Sequence, residues 1–460
     1  MLPLAPTILA ALAQAEPPTT PGLTFHGAPR PLADGAVTED WPSFRGPRRD
    51  GIVREAPLDV AFPESGPGLV WELERGEGLA SPVIADGRLV FTHRVAGSVH
   101  VDCHRAATGE RLWRHSFPCD YSGRYFDNGG PRATPTIAGE RVVVHGVGGR
   151  LVVLDLESGD VVWDLDTAKE MKVGDDFFGV VSSPLVVDGL VVQNVGAPGG
   201  PSVAAFDLET GELRWGAGTE WGPSCASPVP ATLGGERRIL VLAGGESRPP
   251  TGGLMVLSPK GELTWSYPFR SRTTLSVNGA SPLACGDGVF LTVAYGVGSA
   301  LLRIDANGKG EEIWRERRGL ALEFSTPVYV GDEVIGIDGA SGQAGAVVAI
   351  DPANGDEVVR QPMEFETEVP GIDRLVGTSL GKGSLVHADG HFWILGDTGE
   401  LVVARRSDDG FEEVAHASLF FAPETWTPPV IANGLLYVCQ NNPERDGTPR
   451  RLLCFDVRGR

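Results

Sequence analysis

Apolar residues run along this chain in short blocks separated by glycine turns, and no stretch of useful length repeats every 3.6 residues. "SPLVVDGL" (183–190) is an apolar strand that ends in an Asp-Gly turn. "LVVQNV" (190–195) follows, and "VAAFDLETGELRW" (203–215) is a strand, a Thr-Gly turn and another strand. Val, Ile, Leu and aromatic residues fill these blocks, as a buried pleated surface prefers. The pattern predicts four short antiparallel strands in this stretch.

The block recurs. Ser-Pro or Thr-Pro, an apolar stretch and a Gly turn begin at Ser81, Thr134, Ser183, Ser227, Ser281, Thr326 and Thr427, and Ser384 fits with Leu385 in place of proline. Eight copies at roughly 49 residues each have the period of propeller blades. A second signature keeps the same frame, with a Trp four residues after the turn glycine. It appears as Gly109/Trp113, Gly159/Trp163, Gly211/Trp215, Gly261/Trp265 and Gly310/Trp314, while Gly355/Val359 and Gly410/Val414 keep the spacing without the indole. The predicted fold is all-β, an eight-bladed propeller of four-stranded antiparallel blades.

The eighth copy stops at "LLCFDVRGR", one strand short. "GLVWELE" (68–74) precedes the first copy and has no inner strands of its own. It is expected to supply the missing outer strand, with Trp71 at the Trp position. The domain plan is then a signal peptide over 1–15, an extended arm over 16–67 and the propeller over 68–460. The six tryptophans Trp71, Trp113, Trp163, Trp215, Trp265 and Trp314 are read as blade-to-blade packing, each N–H reaching a polar partner.

The D-x-x-T-G-x-x-x-W turns resemble those of the pyrroloquinoline quinone (PQQ) repeat family of quinoprotein alcohol dehydrogenase-like propellers. "WPSFRGPRRDGI" (41–52), "GPRATPT" (130–136), "GKGS" (381–384) and "TWTPPV" (425–430) look like stretches of secreted PQQ-binding-like β-propeller repeat proteins of planctomycete-type bacteria. The resemblance covers about residues 41 to 460. It implies the fold, and leaves two activities open, because fold does not dictate function. The dehydrogenases of that family carry a vicinal Cys-Cys disulfide over the quinone, a Ca²⁺ held by carboxylate and amide oxygens, and a catalytic Asp. Here Cys103, Cys119, Cys225, Cys285, Cys439 and Cys454 are never adjacent, and no calcium-ligand spacing or C-x-x-C-H haem motif appears. The cofactor stays open: PQQ with Ca²⁺ is what the resemblance offers, and no site motif supports it. The expected function is a non-catalytic binding or protein-assembly platform; the alternative is a PQQ-dependent dehydrogenase oxidising alcohols or sugars.

Composition adds boundaries. The net charge of −21 argues against nucleic acid and anionic membranes as partners. No apolar stretch is long enough to span a bilayer. "MLPLAPTILAALAQAEPP" is short, apolar and ends near Ala13-Gln14-Ala15, an A-x-A cleavage pattern, so export to the periplasm or beyond is expected. A monomer with a small-molecule or protein partner is the expected state.

The Asp-Gly and Thr-Gly turns share one face of the ring and look structural. The long loops share the other, where function gathers on a rigid scaffold. These loops hold Tyr125, Asp127, Asn128, Arg132, Asp175, Asp176, Trp221, Asn278, Phe324, Lys382 and Trp426. Arg132, Asn278, Lys382 and Trp426 stand just before inner strands, hence near the central channel. With Phe324 and Asp127 they form the candidate ligand site: Arg and Lys for anionic groups, Trp as a stacking face. The alternative is that they only plug and pair within the channel. His93, His100, His104 and His115 cluster in the first blade, where hydrogen bonding is the default and no metal is expected. Cys439 and Cys454 are placed across the last hairpin, as a disulfide or as buried thiols.

Overall fold

The computed structural model describes residues 20–123, 128–173, 178–245, 250–274, 276–339, 344–369 and 371–460. Each sequence copy folds as one antiparallel sheet with its strands in chain order. The third blade runs Leu185–Val187, Leu190–Asn194, Val203–Asp207 and Leu213–Ala217. Its first turn places Asp188 and Gly189 at φ of +52° and +72°, the double left-handed conformation that joins twisted hairpin strands and favours Asp-Gly. Eight such blades close a ring, so the eight-bladed all-β propeller is the fold. The single turn Thr167–Glu170 is the one helix among the described residues.

The eighth blade takes its outer strand from the other end of the chain. Gly68–Glu74 pairs antiparallel with Arg451–Asp456, with Trp71 opposite Cys454. A further strand, Leu23–Phe25, lies outside Gly68–Glu74. Cys439 and Cys454 do not face each other: Cys439 stands opposite Leu452 and Cys454 opposite Tyr437. The six cysteines are free.

The geometry explains both repeated signatures. Each Trp packs on the turn glycine of the next blade: Trp71 on Gly109, Trp113 on Gly159, Trp163 on Gly211, Trp215 on Gly261, Trp265 on Gly310 and Trp314 on Gly355. A methyl group at Gly159 would come within 2.6 Å of the Trp113 ring, and that glycine has φ of +76°. The position therefore excludes a side chain on two counts. The indoles of Trp71, Trp113, Trp163 and Trp314 donate to carbonyls of the next blade, at Ala106, Leu156, Leu208 and Pro352, over 2.8–3.0 Å. Trp215 departs from the expectation, because its N–H is buried without an acceptor among the described residues.

The Ser/Thr of each anchor links inner strands around the axis. The backbone N–H of Ser81 donates to the Thr134 hydroxyl, and the same bond runs from Thr134 to Ser183, Ser183 to Ser227, Ser227 to Ser281 and Ser281 to Thr326, at 2.9–3.1 Å. The following proline has no N–H, and three of these prolines turn their carbonyls to the arm.

The arm does more than extend. It crosses the face of the Asp-Gly turns, where Leu58 N–H donates to Asp389 at 2.8 Å and Asp86 N–H donates to Asp40 at 3.1 Å. Ile52–Val53 adds a parallel strand at the inner edge of the seventh blade. Between these points the arm enters the axis. Arg45 donates to the carbonyls of Thr326 and Pro327, each at 2.6 Å. Arg49 donates to Pro228 at 3.0 Å and to Pro184. Both side chains are buried, at 5% and 4% exposure. Burial pushes Arg45 down to about 10, against the opposing pull of the Asp50 carboxylate, and Arg49 down to about 9.

Candidate functional site

Above this plug, on the loop face, lies a cavity of about 110 Å³ on the axis. Phe44 and Arg45 of the arm reach it from below. Anchor residues of successive blades ring it, among them Ser81, Thr134, Ser183, Ser227, Thr326 and Ser384. The rings of Phe324 and Trp426, stacked at 4.9 Å and 18°, form part of its wall. Lys382 Nζ lies 4.9 Å from the Phe324 centroid and 5.4 Å from that of Trp426, and it pairs with Glu323 at 2.7 Å. Arg132 completes the lining, 7% exposed, with its guanidinium 5.7 Å from the Phe178 ring. It donates to the carbonyls of Gly130 and Asn128 at 2.8 and 2.7 Å. Burial pulls its pKa down.

Four of the residues expected at the channel mouth thus meet at one cavity: Arg132, Phe324, Lys382 and Trp426. The two cations come from the second and seventh blades, as the anchor positions predicted. Asn278 does not join them. It is fully buried and donates to the Gly244 carbonyl at 2.7 Å, so it holds a loop rather than facing the cavity. Asp127, Tyr125, Asp175 and Asp176 lie outside the described residues. Trp221 packs against the core between the third and fourth blades.

Sequence reasoning missed Phe44, Arg45 and Cys225 as lining residues. The arm motif at 41–52 was visible, but nothing in it says that it threads the ring. A hairpin of Glu364–Thr367 and Val376–Ser379 was missed too. It walls an open groove of about 810 Å³ beside the cavity, lined by Glu364, Glu366, Asp397 and Glu424 and sharing Lys382 and Trp426 with it. Burial pushes the Asp397 carboxyl up, against the opposing bond from Lys382 N–H at 2.9 Å.

Two of the first-blade histidines, His93 and His104, lie beside one buried carboxylate, and His100 bonds the Ser116 hydroxyl at 2.6 Å. His93 Nε2 lies 3.2 Å from Asp102 and His104 Nε2 3.8 Å from it, while Arg114 grips the same carboxylate with two bonds of 2.6 Å. Among the described residues no group of three or more His, Cys, Asp or Glu is placed to hold a metal ion.

A fused three-ring quinone does not fit the cavity as it stands. About 110 Å³ is less than the roughly 150 Å³ of an apolar cavity that holds one benzene. Phe324 and Trp426 stack directly on each other, which leaves no slot for a ring between them. Cys225 is the cavity's one cysteine, and its neighbours in sequence are Ser224 and Ala226.

Comparison with known proteins adds three findings. The family model described as "Outer membrane protein assembly factor BamB" matches residues 60–219 and 199–391. A quinohemoprotein alcohol dehydrogenase, ADH IIB of Pseudomonas putida, is 30% identical over 164 residues, 32% of this chain and 21% of its own length. The dehydrogenase subunit of a quinone alcohol dehydrogenase from Gluconobacter oxydans is 30% identical over 198 residues, 40% of this chain and 25% of its own length. The match therefore spans about a quarter or less of these relatives. Among solved structures, a europium-containing methanol dehydrogenase superposes with a TM-score of 0.62 at 11% identity, covering 91% of this chain and 98% of its own. BamB from Moraxella catarrhalis gives 0.54 at 14% identity, covering 86% and 99%. At these identities the two structures speak for the fold alone.

Proposed function

This chain belongs to the PQQ-repeat, quinoprotein alcohol dehydrogenase-like β-propeller family, and on that premise we propose that it is a non-catalytic binding platform. Its loop face takes the ligand or partner, and its arm-covered face is structural. The observation that carries this reading is the size and construction of the axial cavity. Arg45 and Phe44 of the arm and the stacked Phe324 and Trp426 rings all stand in its lining, and at about 110 Å³ it is small for the quinone of the family's enzymes. The family model's description as an assembly factor supports the same reading. Export follows from the Ala13-Gln14-Ala15 pattern, with residues 1–15 as the removed leader, 16–67 as the arm and 68–460 as one propeller domain.

The second reading, a PQQ-dependent dehydrogenase, draws on the names of the curated relatives. Dye-linked oxidation of primary alcohols and aldoses, measured after adding PQQ and Ca²⁺ to the purified chain, separates the two. The platform reading expects no turnover above the cofactor blank. Turnover that depends on both additions would establish the dehydrogenase.

A further inference from the structure

The anchors leave an unspent chemistry at the axis. Thr134, Ser183, Ser227 and Thr326 each accept a backbone N–H through the hydroxyl oxygen, and each lines the cavity. Among the described residues none of these four hydroxyls has an acceptor for its own proton. Ser81 and Ser384 line the same cavity, and the Ser384 hydroxyl has no partner among the described residues. Ser384 is 4% exposed, so its hydroxyl is a buried polar group left unsatisfied, a costly state that a ligand would relieve. The floor adds charge. Arg45 spends its two Nη groups on the carbonyls of Thr326, Pro327 and Asp50, with the Asp50 carboxylate nearby, and its Nε has no partner among the described residues. Arg132 likewise donates to carbonyls at the wall. A ring of hydroxyl donors over a buried guanidinium is complementary to an anion.

We propose that the axial cavity is a small-carboxylate site, with the anchor hydroxyls as its donors and Arg45 as its fixed cation. The proposal rests on reading this cavity as a binding site and names the class of ligand. Volume sets the size. About 110 Å³, against the roughly 150 Å³ of a cavity that holds one benzene, suits a ligand smaller than a benzene ring, such as formate or acetate. A benzoate ring exceeds it.

Calorimetric titration of the full chain with sodium formate, acetate, propionate and benzoate, against sodium chloride at matched ionic strength, tests this. Saturable one-to-one binding of formate and acetate is expected, with benzoate failing to bind or to compete. In the Ser81→Ala/Ser384→Ala variant the acetate Kd should rise at least about tenfold, since each lost hydroxyl is a bond to a charged group. The melting temperature of that variant should stay put, because neither hydroxyl holds another residue. Three results overturn the proposal: no saturable binding of either small carboxylate, benzoate binding as tightly as acetate, or an unchanged acetate Kd in the double variant. Each would leave the platform reading standing, which falls only to quinone-dependent turnover. Should the double variant melt early, Ser384→Ala alone and Ser81→Ala alone, scored by acetate Kd at a temperature where each is folded, decide the same question.

Discussion

Two arcs of the ring are built by different means. From the eighth blade round to the sixth, six seams repeat one device, a Trp packed on the next blade's turn glycine. The two seams around the seventh blade lack it. Between the sixth and seventh, Val359 stands at the Trp position, and the Gln361 amide instead bonds both the N–H and the carbonyl of Phe411 at 2.8 Å. Between the seventh and eighth, the arm fills in. Phe62 packs 6.3 Å from Trp393, and Leu58 is tied to Asp389. Among the described residues the hydroxyl relay also stops at Thr326, and the hydroxyl of Ser384, the anchor without a proline, is buried and unsatisfied. Loss of the repeat signature thus marks where the chain brings contacts from elsewhere, and that irregular arc carries Lys382, Trp426 and the extra hairpin.

The largest expected effect comes from removing the imported part. Deletion through Glu74 takes away the closing strand and the axial plug, and leaves Arg451–Asp456 as an exposed edge. Thermal melting should show loss of the cooperative transition, or aggregation, while a chain beginning after Ala15 melts normally. Equal melting of the two would refute the closure.

Next in size are the regular seams. Trp71 is fully buried, so Trp71→Ala should cost about 3–5 kcal/mol in chemical denaturation. Val359→Ala, at the equivalent place in the irregular arc, removes far less volume and should cost clearly less. A reversed order would mean that the Trp seams do not carry the ring.

This difference bears on what could be read in the sequence. The blades were legible because their devices recur: Asp-Gly for a left-handed turn, Gly four residues before Trp for a seam, Ser/Thr-Pro for the axial relay. The closing strand was legible because the eighth copy lacks an outer strand and "GLVWELE" (68–74) precedes the first copy with no inner strands of its own. The plug was not, because Arg45 and Arg49 bind backbone carbonyls, which any sequence supplies. Position before an inner strand placed Arg132, Lys382 and Trp426 correctly near the axis. It could not tell that Asn278 turns its amide back to Gly244, since chain position fixes where a residue stands and leaves its side chain free.

Acid sharpens the comparison by smaller amounts. In the regular arc, burial pushes His145 down from 6.5 to about 4. The unfolded chain then binds a proton that the folded chain refuses, so stability falls as pH drops from 6.5 towards 4. In the irregular arc, Glu400 is fully buried; burial raises its pKa, but bonds from His416, Thr367 and Thr378 outweigh this and hold it below 4.5. Its contribution is present above 4.5 and is lost as pH falls through the lowered value. His145→Gln should therefore flatten the slope of unfolding free energy between pH 6.5 and 4 by about one proton. Glu400→Gln should flatten it only below 4.5. Denaturant titrations across that range check both, and a Glu400→Gln effect centred above pH 5 would contradict the assignment.

The central claim is that the arm and the aromatic stack leave the axis too small for a three-ring quinone. Equilibrium dialysis of the intact chain against PQQ with Ca²⁺, read by the quinone absorbance retained with the protein, tests it most directly. The account predicts no stoichiometric retention. One quinone held per chain, displacing acetate, would contradict it.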